Sequence, residues 1–161
     1  MQEDRDIRYL LNPHERFDIR AVLILTHAGQ VLVTPRKSGD KEITIVPGGA
    51  VKFGETGEDA AKREAKEELG LSLNKLTSTG IVEAFFTLNG ICCHQLLLVY
   101  QAEVSTDTAA ILTNLNVEQF DLPTNTHFAW QAKAAVSASI RPAALGQCLT
   151  PGHFKHLVDR R

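Results

Sequence analysis

Four carboxylates and one arginine crowd a short part of this chain at spacings that could do chemistry. Glu64, Glu67 and Glu68 fall within KREAKEELG, Lys62 to Gly70, beside Arg63, and Glu55 precedes them in VKFGETGED. On a helix, residues three and four apart share a face, where like charges cost a few tenths of a kcal/mol per pair. A glutamate-rich helix is, taken alone, an ordinary solvated face. Three carboxylates on one face also suit hard divalent cations, which take oxygen ligands. Mg²⁺ in particular keeps several waters and reaches its remaining partners through substrate phosphates. Such a face is a place to hold a metal–diphosphate complex.

The elements that must position this face are readable nearby. Thr56 with Asp59 three residues on forms a capping-box pattern, and Glu58 and Asp59 suit the positive end of the helix dipole. Gly70 supplies a left-handed stop. Ala61, Ala65 and Leu69 form a thin apolar side that lets the helix lie close to a sheet. Upstream, ITIV reads as a strand ending at Pro47, and Gly48-Gly49 marks a tight bend. By itself that pair is an ordinary turn. In register with the glutamates, it would let a backbone carbonyl approach a metal.

The rest of the chain supplies strands. AVLILT (21–26) and VLVT (31–34) read as two strands around a HAGQ turn. PRKSGDKE reads as a polar loop. Asn89-Gly90 between apolar runs is the strongest short hairpin signal. Residues 1–17 read as a lead-in strand or loop, 104–126 give no firm pattern, and the segment around Trp130 is ambiguous between helix and strand. A helix could begin at Pro142. Thr150-Pro151 reads as the start of a last short helix ending near Val158 and carrying His153 and His156. The order of elements predicts an α/β (α+β) chain, a mixed sheet covered by helices, folded as one domain over 1–161.

Composition limits the function classes. The chain has 161 residues, 43% hydrophobic and 22% charged, with a net charge of −2. That charge argues against a nucleic-acid polymer as partner and says nothing against nucleotide-sized ligands. No signal-peptide pattern opens the chain and no apolar run reaches membrane-spanning length. Cys92, Cys93 and Cys148 form no CxxC pair, so reduced thiols in a cytoplasmic protein are expected.

Over a wider window, GAVKFGETGEDAAKREAKEELGL resembles the Nudix box: a glycine, five residues, a glutamate, seven residues, then R-E-apolar-x-E-E-x-G-apolar. Here these are Gly49, Glu55, Arg63, Glu64, Ala65, Glu67, Glu68, Gly70 and Leu71. At ordinary residue frequencies the joint register would arise by chance on the order of once in a million such chains. The resemblance implies a Nudix-like α/β/α sandwich and metal-dependent hydrolysis of a nucleoside diphosphate linked to a moiety X. Water would attack one phosphorus and release a nucleoside monophosphate and phosphorylated X. Glu64, Glu67, Glu68, Glu55 and a backbone group of Gly49 are the implied metal ligands, with Mg²⁺ the implied cation and Mn²⁺ its substitute. Arg63 resembles the family arginine that orients the glutamates by ion pairing. Many relatives are dimers, and a homodimer is the corresponding expectation.

The base that takes the proton of the attacking water is assigned to Glu64 within the box. Outside it the candidates are Glu83, in VEAFF, and Glu118. Glu83 is also a candidate for contact with substrate. Many bacterial relatives carry His-Glu where this chain has His94-Gln95, and Gln95 can neither act as a base nor serve as a good metal ligand. Arg36, after the second strand, could meet a substrate phosphate, and Phe85 could stack a base. Subfamily markers are missing: the next proline after the box is Pro123, and Phe85-Phe86-Thr87-Leu88 stands where diadenosine polyphosphate hydrolases carry a tyrosine. The substrate stays open among nucleoside triphosphates, nucleotide sugars and ADP-ribose. The rival reading is a catalytically silent Nudix domain that binds a nucleotide as a sensor, and an isomerase on the same fold is a second rival.

Overall fold

The computed structural model describes residues 5–120, 122–123 and 125–161. Nine strands and three α-helices follow in chain order: β1 (Arg8–Asn12), β2 (Glu15–His27), β3 (Gln30–Ser38), β4 (Lys41–Ile45), β5 (Gly48–Ala50), α1 (Gly57–Leu69), β6 (Thr77–Leu88), β7 (Ile91–Glu103), α2 (Thr106–Thr113), β8 (Ala129–Ala132), α3 (Lys133–Ser139) and β9 (Lys155–Arg160). Short 3₁₀ turns cover Val117–Gln119 and Ala143–Cys148. The strands form one mixed sheet in the order β4-β3-β2-β7-β6-β9, with β1 and β5 added to β2 and β8 added to β3.

The long β2 is the spine of the sheet. It runs parallel to β7 from Glu15 opposite Cys92 to Thr26 opposite Glu103. Its other edge is shared in turn by β1, β5 and β3. Strand alternation sends Ala21, Leu23 and Leu25 to one face and Val22 and Ile24 to the other, and all five are buried. The first set packs with Ala60, Ala61, Ala65 and Leu69 of α1. The second packs with Val136 of α3, Ile140 and the 3₁₀ turn residues Leu145 and Cys148. The sheet is therefore covered by helical structure on both sides.

Helix α1 has the expected ends. The Asp59 amide donates to Thr56 Oγ1 at 3.1 Å, and the Thr56 amide donates back to Asp59 Oδ2 at 3.4 Å. At the other end, Gly70 sits at φ 64° and closes on the Ala65 and Lys66 carbonyls. The hairpin at Asn89-Gly90 is also present, both residues having positive φ, with Leu88 opposite Ile91.

Two expectations are corrected and one open reading is resolved. The polar segment after Thr34 is no loop: β3 continues through Pro35 to Ser38, turns at Gly39-Asp40 and returns as β4. Its charged residues fit there because β4 is an edge strand, where charge is tolerated and protects against mispairing. The ambiguous segment around Trp130 is both things in succession, strand β8 and then helix α3. Thr150-Pro151 starts no helix: the chain instead enters β9, which lies parallel to β6 at the far edge of the sheet. His156 is thus a strand residue and His153 lies before the strand. Among the described residues no helix is long and apolar enough to cross a membrane.

Candidate functional site

Helix α1 carries its glutamates along the side facing β5, and Arg63 is the hub that organises them. Its Nε donates to Glu55 Oε1 at 2.6 Å, and its Nη2 donates to Glu55 Oε2 at 3.1 Å and to the Ala50 carbonyl at 2.8 Å. Its Nη1 reaches Glu64 Oε1 at 2.6 Å and Glu67 Oε2 at 3.1 Å. A planar guanidinium can serve so many acceptors in one plane, which an ammonium cannot. These bonds hold the Glu55 carboxyl below its ordinary range, and the Glu55 and Glu64 carboxylates push Arg63 further up. Glu55 also accepts from the Lys52 amide at 2.9 Å, which fixes the loop that carries it.

The Gly48-Gly49 bend becomes β5, paired with β2 at Arg20–Val22. Gly48 has φ 154°, and a Cβ there would strike the Ala21 carbonyl. A Cβ on Gly49 would overlap the carboxylate of Glu64. The second glycine is therefore required by the glutamate, and the first by the backbone of β2. Glu68 lies next to this bend and is hydrogen-bonded by the Gly48 backbone. Burial, and then the charge of Glu64, push its carboxyl up to about 7.

The donor set fits a hard divalent cation in chemistry: carboxylate oxygens beside a glycine bend open to the approach of another group. The Glu64 carboxylate occupies space that any side chain at position 49 would fill. The half-buried Glu68 carboxyl is likewise raised by burial and by the charge of Glu64, which a bound cation would oppose. The set is not preassembled, since among the described residues no group of three acidic, His or Cys side chains already converges as a metal site. Arg63 instead holds Glu55, Glu64 and Glu67.

Beyond the bend, on the sheet face that Val22 shares, lies a cavity of about 690 Å³. Arg16, Arg20, Arg141, Gln95 and Phe86 are among its lining residues. A smaller cavity of about 160 Å³ shares Arg20, Gln95 and Arg141 with it and reaches Gly48, which links the cavity to the glutamate helix. Gln95 is buried at 8% exposure, opposite Asp18 of β2.

The remaining sequence candidates are scattered. Arg36 stands opposite Ile43 of β4, so it projects to the face on which Ile43 lines the large cavity. Phe85 lies elsewhere: it stacks on His94 at 4.2 Å, and the Arg160 guanidinium covers it at 4.1 Å. With both neighbours in place its ring is not free to stack a base, and it lines a separate cavity of about 460 Å³ with Tyr9, Phe17 and His94. Its neighbour Phe86 lines that cavity and the arginine-lined one as well. Glu83 meets His156 Nε2 at 2.8 Å, and Glu118 is exposed on its 3₁₀ turn. Sequence reading missed Arg16, Arg20 and Arg141. Arg141 is far from the other two in the chain, and only the parity of β2, which puts Arg16 and Arg20 on one face, gave a local signal.

Comparisons with known proteins agree with this geometry. A family model described as the NUDIX domain matches residues 16–130. The fold resembles a MutT NUDIX hydrolase from Burkholderia pseudomallei with TM-score 0.61 and 21% identity, covering 83% of this chain and 98% of that one. It also resembles a MutT protein from Bacillus halodurans, with TM-score 0.57 and 19% identity over 82% of this chain and 79% of that one. A NUDIX hydrolase from Nitrosomonas europaea gives TM-score 0.51 and 21% identity over 82% and 85% of the two chains. At these identities the solved structures support the fold alone. No curated protein sequence matches the chain.

Proposed function

From the fact that the chain belongs to the Nudix family and is a pyrophosphohydrolase, we propose that it hydrolyses a nucleoside diphosphate linked to X, releasing a nucleoside monophosphate and phosphorylated X. The observation that carries this reading is the Arg63 hub, which ties Glu55, Glu64 and Glu67 to one guanidinium directly beside the Gly48-Gly49 bend. A protein that only bound nucleotide would have no need of so complete an arrangement.

Glu64, Glu67 and Glu68, with Glu55 and a backbone oxygen at Gly48-Gly49, would hold divalent cation, Mg²⁺ or in its place Mn²⁺. When bound, the cation supplies neutralisation of the phosphate oxygens and a lowered pKa for the attacking water. The protein's own residues do the rest. Arg63 fixes the rotamers of Glu55 and Glu64 beside the glycine bend. Glu64, with one oxygen held by Arg63 and the carboxylate lying over Gly49, is the residue we assign to take the proton from water. Glu83 and Glu118 are less suited, the first being occupied by His156 and the second exposed. Gln95 lines the cavity as a neutral hydrogen-bonding group. A cytoplasmic location, with Cys92, Cys93 and Cys148 all unpaired, belongs to the same reading, as does a homodimer.

The test is Mg²⁺-dependent release of nucleoside monophosphate from a panel of nucleoside triphosphates, nucleotide sugars and ADP-ribose. Glu67→Gln and Glu68→Gln are expected to lose at least about tenfold in turnover with the fold intact. Absence of turnover for every panel member, with nucleotide binding retained, would leave the sensor reading in its place.

A further inference from the structure

The large cavity is lined by arginine, and among the described residues no carboxylate lines it or the smaller cavity joined to it. Some of its arginines have acidic partners nearby. Arg16 Nε lies 3.9 Å from Asp18 Oδ2, and Arg161 Nε donates to Asp159 Oδ1 at 3.2 Å. Arg8 shares Asp18 at 3.9 Å. Two remain. Arg141 spends its Nη1 on the carbonyls of Ser139 and Ile140, which orient the guanidinium without neutralising it. Arg20 lies near Glu68, a carboxylate that the hydrolase reading commits to metal, and no ion pair within 4 Å is found for it among the described residues. Gln95, which lines both cavities with them, carries no charge that could compensate either.

A diphosphate held by metal would already have its charge balanced on the glutamate side of the bend. A half-buried guanidinium without a carboxylate partner is a strong site for a planar or tetrahedral oxyanion, through two parallel N–H bonds. We infer that Arg20 and Arg141 meet the part of the substrate beyond the cut bond, and that X is itself anionic, bearing a phosphate or carboxylate group that they select. This rests on the hydrolase reading and narrows it, since nucleotide sugars with neutral X fall outside the preferred class. The apolar remainder of the wall is Ile43, Ile45, Phe86 and Pro142, and the volume of about 690 Å³ leaves space for a sugar-sized group beside the arginines.

The experiment uses matched pairs that differ only in charge on X: UDP-glucose with UDP-glucuronate, and ADP-ribose with its 1″-phosphate. The readout is the ratio of kcat/KM within each pair, in which the amount of folded enzyme cancels. The anionic member is expected to be preferred by at least about tenfold in at least one pair, roughly the discrimination of one charge-assisted bond pair. The preference should fall to within about twofold in the Arg20→Gln, Arg141→Gln double variant and be partly kept by Arg141→Lys. Carboxylate and phosphate arms then tell which anion fits. A ratio near one in the wild type overturns the inference, and so does a preference that survives the double variant. If no member turns over, calorimetric binding of the same pairs to metal-free protein decides separately: preferential binding of the anionic member keeps the anion site while the hydrolase reading fails, and equal binding or none removes both.

Discussion

The carboxylate of Glu64 occupies the volume in which a side chain at Gly49 would stand. The adjacent Gly48 is closed by a different neighbour, the Ala21 carbonyl, at φ 154°. Two consecutive glycines are thus needed for different reasons. Gly49→Ala displaces a glutamate side chain and no backbone, so its thermal midpoint should stay near that of the wild type while turnover falls by at least about tenfold. Gly48→Ala meets fixed backbone and should lose roughly 1–3 kcal/mol in chemical denaturation. Equal effects of both changes on stability and activity would refute the distinction.

Arg63→Lys keeps the charge and removes the fork. A lysine cannot hold Glu55, Glu64, Glu67 and the Ala50 carbonyl together, so the glutamates lose their common orientation. The expected result is a loss of about ten- to a hundredfold in turnover. The Mg²⁺ concentration for half activity should rise, and the circular dichroism spectrum should be unchanged. Wild-type turnover in this variant would show that the hub is only structural.

Glu68 gives a pH signature in metal-free protein. Its carboxyl is raised from 4.5 to about 7 by burial and by Glu64, so the folded state keeps a proton that the unfolded chain releases. Stability must then fall as pH rises through the window from 4.5 to about 7, by the sign of the linkage relation. Urea midpoints measured in chelator should decline across this window less steeply in Glu68→Gln than in the wild type. Identical slopes would remove Glu68 as the cause. Saturating Mg²⁺ should flatten the wild-type slope.

The N-terminal cap of α1 is a local stability element. Thr56→Ala removes the acceptor for the Asp59 amide and the hydroxyl that donates to Asp59 Oδ2 at 2.8 Å, and it should cost about 1 kcal/mol. Thr56→Ser should recover most of that in the same denaturation assay. Because the cap lies a full helix away from Glu67 and Glu68, turnover per folded molecule should change little.

What was legible in the sequence is what is local. The start of α1 at Thr56, its stop at Gly70 and the Asn89-Gly90 turn depend on a few neighbouring residues, and all three are present. The edge strands were not legible. Pro35, Arg36 and Lys37 look like loop residues, and only pairing with β4 makes them strand. Lys155–Arg160 was outweighed by the cap-like Thr150-Pro151, because the parallel partner β6 lies some seventy residues upstream. The glutamate cluster could be read because one helix carries it. The arginine wall could not, since Arg20, Gln95 and Arg141 meet only after β2, β7 and the segment following α3 are assembled.

The small residues beneath α1 have a further consequence. Ala60, Ala61 and Ala65 are fully buried against the sheet, and Gly57 meets Tyr100 and Leu98 where any Cβ would intrude. These contacts work as a gauge: they fix the height at which the helix rides, and so the gap between its carboxylates and the β5 backbone. A methyl group added far from the glutamates would lift the whole ridge, and the reach of Glu64 over Gly49 would change without any ligand being touched. Sensitivity of the reaction to the back of the helix is thus built into the same packing that makes the helix look poorly hydrophobic.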